Sequence, residues 1–404
     1  MEYPRKREHE EGRTITSTVT AISTQADSAL AGAELGRKIR EGFEGEPADA
    51  VILFGSALHA HRRLLKAVAQ AAGTNIIVGS SSAGEFNNEH RGAGTASALA
   101  LRSANMRFAI GVGRHLIEDP VAAAAQVVAT FQGPTDTANP MPYHAALVMT
   151  DALAGHADVV VEELTMATGG NYRFFGGGAG DDARFEKTWV FAGTEAFTNA
   201  VAALEIRSMY PVGVGVAHGW VPAGEACRVT EVDGARLVSL NSVPAVHAFE
   251  DHAAATGQAF NRADPMPFFL HNVLGIKEGD GYRLRVPLGI GDDGSVQCAA
   301  AIPNRAIVQI MKTSQASAVL AAEQATRAAL QGLGNRQPAA ALIFDCVATR
   351  LRLGIGFDDE LNACADLLQP AQYVGCNTHG QIARAEGQFG GFHNCTAVVC
   401  VFPA

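Results

Sequence analysis

The sequence predicts an α/β protein in which helices pack on mixed sheets, with a degenerate threefold repeat and two intertwined halves. Three similar stretches support this prediction: IVGSSSAGEF at 77–86, FFGGGAGDDA at 174–183 and YVGCNTHGQI at 373–382. Each has the pattern of an apolar strand that enters a turn of glycine and small residues, here called a Gly turn. Because each follows a strand and a helix, we interpret them as copies of one strand-helix-strand-Gly turn-strand unit.

The elements of the first unit come from apolar spacing. A helical pattern covers 27–45, a buried-strand pattern covers 48–57, and residues 61–73 predict a helix that ends at Gly73. The other two units repeat this order, with strands, helices and closing strands at 144–155, 156–170, 187–193, 339–350, 358–369 and 394–402. Short units of this kind place helices over a sheet.

A strand-rich stretch separates the second unit from the third. It contains one predicted helix at 244–257, which starts at Pro244 and stops at Gly257. The first residues are rich in charge, Ser and Thr, so we predict a flexible leader at 1–24. We divide the remainder into an N-terminal domain, 25–235, and a C-terminal domain, 236–404.

Composition limits the partners and the compartment. The chain has 404 residues, 48% of them hydrophobic, and a net charge of −10, so it can bury a large core but lacks the positive charge that nucleic acid or anionic lipid requires. Seven cysteines without a CxxC pair favour a reducing compartment. Because the sequence shows neither a membrane span nor a signal peptide, we expect a cytoplasmic protein.

The Gly turns are the first candidate binding site. Small residues after a strand let backbone amides approach a ligand, so we expect a pocket with walls at Ser81, Ser82 and Gly178. The alternative, that glycine only permits tight turns and close strand packing, stays open. Neither P-loop nor dinucleotide-binding spacing follows the turns, which argues against nucleotide binding.

Several separated motifs, taken in chain order, resemble the FIST family. They are VGSSSAGEF, GGGAGDD, HGW, the PA that follows LN, GIGDDGSV and YVGCNTHGQI with FHNCT after it. The resemblance covers residues 25–402 and implies a FIST N-terminal domain in 25–235 and a FIST_C domain in 236–404. It also implies a cytoplasmic sensor that binds a small ligand in signal transduction, rather than an enzyme.

A stand-alone chain of this length is similar to the NosP subgroup of the family. That similarity implies haem b as cofactor, nitric oxide as ligand, and a sensor histidine kinase or a cyclic-di-GMP enzyme as partner. A homodimer is left open.

A gas-sensing haem usually takes an imidazole as its axial ligand. The candidates in apolar contexts include His218, His247, His252 and His379. We favour His247 as the metal ligand, because Glu250 and Asp251 follow it at helical spacings from which a carboxylate can orient the imidazole. A structural or solvated role is the alternative for each of these histidines.

Two other functions stay open. One is a FIST sensor of a small metabolite, such as an amino acid, that uses the Gly turns without haem. The other is a cysteine-dependent enzyme in which Cys376 works with His379, three residues further along the third turn.

Overall fold

A computed structural model describes residues 16–133, 141–384 and 391–404. Within these ranges the chain forms three six-stranded sheets and one nine-stranded sheet, with helices packed on them. Parallel and antiparallel strand pairs occur in the same sheets. The predicted α/β fold with mixed sheets is therefore confirmed.

The bounds of the elements are as follows. The strands are β1 (Thr16–Ser23), β2 (Ala50–Ser56), β3 (Ile77–Ser82), β4 (Glu85–Asn87), β5 (Arg91–Gly92), β6 (Ala96–Ser103), β7 (Met106–Arg114), β8 (Tyr143–Thr150), β9 (Tyr172–Gly178), β10 (Val190–Ala192), β11 (Glu195–Phe197), β12 (Ala200–Ser208), β13 (Gly213–Ala217), β14 (Val221–Pro222), β15 (Cys227–Asp233), β16 (Arg236–Leu240), β17 (Val243–Pro244), β18 (Val273–Glu278), β19 (Gly281–Arg285), β20 (Pro287–Ile290), β21 (Val296–Cys298), β22 (Ile307–Lys312), β23 (Pro338–Cys346), β24 (Gln372–Thr378), β25 (Gln381–Arg384), β26 (Phe392–His393) and β27 (Ala397–Pro403). The helices are α1 (Ser28–Gly42), α2 (His61–Ala72), α3 (Pro120–Val128), α4 (Ala157–Ala167), α5 (Val246–Thr256), α6 (Met266–Phe269), α7 (Gln315–Gln331), α8 (Val347–Leu353) and α9 (Phe357–Leu368).

The three six-stranded sheets have one strand order in common. Each is centred on a parallel pair, β2 with β3, β8 with β9, and β23 with β24. The orders are β1-β6-β2-β3-β10-β11, β7-β12-β8-β9-β25-β26 and β13-β27-β23-β24-β4-β5. The threefold repeat of the sequence stays a prediction.

The sheets interlock because short hairpins cross between them. Strands β4 and β5 follow β3 in the chain, but β4 pairs with β24 of the third sheet. In the same way β10 pairs with β3, and β25 pairs with β9. Each Gly turn leads from a parallel pair into one of these exchanged hairpins, and the three turns therefore meet.

A central core fills the space between the three sheets. Fully buried side chains from all of them meet there, among them Phe54 of β2, Leu147 of β8 and Phe344 of β23. The rings of Phe54 and Phe344 contact edge to face, with centroids 5.6 Å apart. Helices α1 and α2 cover the outer side of the first sheet, α3 and α4 that of the second, and α7 and α9 that of the third.

The first strand corrects a sequence prediction. Residues 16–23, which the predicted leader of 1–24 includes, pair with β6 along the whole of β1. This part of the leader prediction is wrong, because the Thr, Val and Ile residues of TSTVTAIS suit a strand. Residues 1–15 lie outside the described residues.

The fourth sheet spans residues 221–312 and has the order β19-β18-β22-β15-β16-β21-β20, with β14 beside β22 and β17 beside β16. Helix α5, predicted at 244–257, spans Val246–Thr256, has Gly257 as its C-cap and packs on this sheet through Val246 and Phe249. The domain boundary that we place after residue 235 falls in the turn between β15 and β16, inside this sheet. Within the described ranges no helix is both long and apolar enough to cross a lipid bilayer.

Candidate functional site

The three Gly turns contact one another at the carboxyl ends of the parallel strands. Backbone N–H groups donate between them from Gly180 to Ser81 at 2.9 Å, from Ala83 to Asn377 at 2.9 Å and from His379 to Gly178 at 3.0 Å. At Gly178 a Cβ atom would lie 2.5 Å from the carbonyl oxygen of His379, so this approach requires glycine. The carboxyl ends of parallel strands are also where α/β proteins usually bind ligands.

A cavity of about 540 Å³ opens where the turns meet. Each turn contributes to its wall, and α8 adds polar and apolar side chains; the lining includes Ala83, Asp182, Ala183, Asn377, Arg350 and Leu351. A volume of this size accommodates a small molecule. We take this cavity as the candidate site.

Arg350 brings a guanidinium to the cavity. Its Nη1 donates a hydrogen bond to the carbonyl oxygen of Ala83. A Cβ atom at residue 84 would lie 2.0 Å from this nitrogen, and Gly84 has a φ of +132° that other residues rarely adopt. Because a guanidinium has several N–H donors, Arg350 can bind Ala83 and an anionic ligand group together.

Asp182 and Asn377 add a carboxylate and an amide to the same wall. Asp182 Oδ2 accepts a hydrogen bond from Ser56 Oγ at 2.8 Å. Asp182 Oδ1 and Asn377 Nδ2 are buried without a hydrogen-bond partner among the described residues. A buried polar atom without a hydrogen-bond partner lowers the stability of the protein by about 1–3 kcal/mol. A ligand that supplies the missing partner therefore gains that free energy on binding.

The predicted residues Ser81 and Ser82 lie at the junction of the turns, fully buried. Their hydroxyl groups are bonded within the protein: Ser81 Oγ accepts from the backbone N–H of Trp189 at 2.9 Å, and Ser82 Oγ donates to the carboxylate of Glu85. The cavity wall is formed by the neighbouring Ala83 instead.

Glu85 is an ionisable residue of the junction that the sequence reasoning missed. Its fully buried carboxylate accepts hydrogen bonds from the backbone N–H of Thr95 at 3.1 Å and from Thr95 Oγ1 at 2.7 Å. Burial raises its pKa to about 7, although these bonds oppose the shift. Its signal in the sequence is the acidic residue that closes the first two Gly turns and is Gln381 in the third.

His379 lies in the third turn between Asp181 and Phe185. Its Nε2 is 3.6 Å from Asp181 Oδ1, and its ring stacks on that of Phe185 with centroids 4.6 Å apart. Within the described ranges, neither ring nitrogen has a hydrogen-bond partner. Burial lowers the pKa of His379, which favours the neutral imidazole, and Asp181 partly opposes this.

The imidazole rings of His218 and His252 form hydrogen bonds within the protein. His218 Nε2 lies 2.8 Å from the carbonyl oxygen of Tyr282, and its Nδ1 accepts from the backbone N–H of Trp220 at 3.3 Å. The buried His252 has its Nε2 3.2 Å from Asn272 Oδ1. Both imidazoles therefore have structural hydrogen bonds that a metal at the same nitrogen would replace.

His247 lies on the solvent side of α5, with 52% of its side chain exposed and its Nδ1 3.9 Å from Glu250 Oε2. The carboxylate that the helical spacing indicates is thus nearby. His218 lines a cavity of about 10 Å³, far too small for haem. None of the four candidate histidines lines the cavity at the turns or the cavities of about 570 and 980 Å³ elsewhere in the described ranges. These histidines do not fit a haem site in this structure.

Cys376 does not have the properties of a nucleophile. It is fully buried in β24, and burial raises the pKa of its thiol well above the ordinary value. A reactive cysteine needs an accessible thiolate. The structure therefore argues against Cys376 as the nucleophile of an enzyme.

Two family models match the sequence, the FIST N domain over residues 49–242 and the FIST C domain over residues 245–384. The chain belongs to the FIST family. The resemblance of the separated motifs to this family is confirmed, and FIST domains are small-ligand sensing domains of signalling proteins. The cavity where the Gly turns meet combines residues from the segments that carry these motifs.

No curated protein matches the chain. Among solved structures, the structure of PurLQS from Thermotoga maritima aligns with 11% sequence identity and a TM-score of 0.20, covering 96% of this chain and 72% of that chain. A TM-score this low does not indicate a common fold.

Proposed function

We propose that this FIST protein senses a small zwitterionic metabolite of the amino-acid class, bound where the three Gly turns meet. The observation that carries the proposal is a cavity of about 540 Å³ whose wall contains both Arg350 and Asp182. A ligand carboxylate would bind the guanidinium of Arg350, and a ligand ammonium group would bind Asp182 Oδ1. The amide of Asn377 would donate a further hydrogen bond to the carboxylate.

Binding at this position links three sheets. The cavity wall takes Ala83 from the turn after β3, Asp182 from the turn after β9 and Asn377 from the end of β24, and these three strands belong to different six-stranded sheets. A ligand that contacts all three turns stabilises one arrangement of the interlocked sheets over others. Through this change in population, ligand binding would alter a surface that a signalling partner recognises.

Thermal unfolding in the presence of each common amino acid tests the proposal. A metabolite at one hundred times its Kd raises the unfolding free energy by about 2.7 kcal/mol. We expect Arg350→Met to lose this stabilisation and Arg63→Met, a matched change at an exposed residue of α2, to keep it. A screen in which no amino acid stabilises the protein contradicts the function, and equal stabilisation of Arg350→Met contradicts the site.

Haem-based sensing of nitric oxide, relayed to a histidine kinase or a cyclic-di-GMP enzyme, stays a prediction from the family resemblance. The placement of the four candidate histidines gives it less support than the polar cavity gives the metabolite proposal. The absorption spectrum of protein from cells supplied with a haem precursor tests it. A stoichiometric Soret band that moves with nitric oxide and is lost in His247→Ala would favour haem, and a colourless protein would exclude it.

A further inference from the structure

Residues 182–187, which form the end of the second Gly turn and the segment directly after it, lie over His379. Three of these residues, Asp182, Ala183 and Phe185, have φ values of 56°, 60° and 57°. Left-handed backbone is unfavourable for residues other than glycine and persists where the surroundings impose it, often at ligand-binding segments. The segment is therefore held in a strained conformation over the imidazole.

One carboxylate holds this segment in place. Asp181 accepts hydrogen bonds from the backbone N–H groups of Phe185 at 3.0 Å, Glu186 at 2.6 Å and Lys187 at 3.0 Å. Residues 184–187 are all exposed, including 47% of Phe185. The position of residues 184–187 thus depends on Asp181, on the stack of Phe185 with His379 and on Lys187 Nζ, which lies 4.3 Å from the centroid of the Trp189 ring, and not on packing into a core.

The polar atoms beneath Phe185 suit a hydrogen-bond donor. Only 6% of the His379 side chain and 2% of the Asp181 side chain are exposed, and Nε2 and Oδ1 lie 3.6 Å apart. With its proton on Nδ1, a neutral imidazole presents Nε2 as an acceptor, as the carboxylate presents Oδ1. A single N–H or O–H group placed at about 2.9 Å from both atoms would donate to both acceptors.

We propose that His379 and Asp181 form a covered subsite for an ammonium or hydroxyl group on the side chain of the ligand, and that Phe185 is its cover. The subsite adjoins the cavity, because Asp182 and Ala183 line the cavity wall. This inference rests on the proposed function and narrows the ligand to an amino acid whose side chain donates a hydrogen bond.

Modification of histidines by diethyl pyrocarbonate, followed by peptide mapping, tests the cover without any ligand. The exposed His247 provides the fast reference, and we expect His379 to react much more slowly. Removing an aromatic stack in Phe185→Ala should speed the reaction of His379 about fivefold, whereas Ile355→Ala, at an exposed residue of the same cavity wall, should leave it unchanged. An unchanged rate in Phe185→Ala, or a wild-type rate equal to that of His247, would overturn the cover.

Histidine ring signals in the NMR spectrum test the subsite, with ethanolamine as a probe that carries both an ammonium and a hydroxyl group. The signal of His379 is identified by its loss in His379→Gln. We expect ethanolamine to shift the His379 signal in Phe185→Ala, and acetate to leave it in place. In the double variant Phe185→Ala, Asp181→Asn, we expect a smaller shift with ethanolamine. If ethanolamine leaves the signal unmoved in Phe185→Ala, the subsite is overturned. Neither the modification experiment nor the NMR experiment depends on Arg350 or on the amino-acid screen. A negative result for the subsite is therefore distinct from a negative result for the proposed function.

Discussion

The burial of Glu85 at the junction of the Gly turns makes stability depend on pH. Its pKa is about 7 in the folded protein and 4.5 as its ordinary value, with burial as the main cause. Between these pH values the folded protein holds a proton that the unfolded chain has released, so stability is highest below the lower pKa and falls as pH rises to 7. At about 1.4 kcal/mol for each pKa unit, Glu85 lowers the free energy of unfolding by about 3 kcal/mol across this range.

Urea unfolding of the wild type and of Glu85→Gln, from about pH 4 to pH 8, measures this contribution. Glutamine keeps an oxygen acceptor and nearly the same volume but does not titrate. Subtracting the variant from the wild type removes the titration of other groups, and the difference in unfolding free energy should fall by about 3 kcal/mol as pH rises. The control Glu89→Gln, at an exposed residue between β4 and β5, should show no such trend. A difference that stays flat for Glu85→Gln would refute the reasoning.

Two further substitutions test the geometry. Gly84→Ala places a methyl group where Arg350 Nη1 now lies and gives alanine an unfavourable φ. We therefore expect the free energy of unfolding in urea to fall by about 1–2 kcal/mol and the ligand to stabilise the protein less. Unchanged stability would show that this close approach is absent. Phe54→Ala removes the contact with Phe344 between the first and third sheets and should cost about 3–5 kcal/mol in the same assay. A loss well below that range would mean that the core between the sheets is not tightly packed.

Local patterns in the sequence indicate the elements but not their exchange between sheets. Glycine and small residues after apolar runs mark each Gly turn, and helical spacing locates α5 correctly. The pairing of β4 with β24 joins residues that are far apart in the sequence, as in the register of Glu85 with Cys376. A short strand carries no local information about such a distant partner.

For the candidate site, too, the sequence does not reveal which distant residues meet. The spacing of His247 and Glu250 correctly indicates that the two side chains are near each other, yet it does not reveal that this side of α5 faces solvent. Asp181 and His379 meet only because β25 crosses to pair with β9, so neither turn alone indicates the contact. Arg350 reaches Ala83 from a helix of the third unit, and no motif in the sequence marks it.

The central claim is that the ligand binds where the three Gly turns meet. The crystal structure of the protein with the amino acid that stabilises it most would test this claim directly. We predict electron density for the ligand in the cavity, with its carboxylate at Arg350 and its ammonium group at Asp182. Density for the ligand at another site, such as the exposed face of α5 near His247, with this cavity empty, would contradict the account.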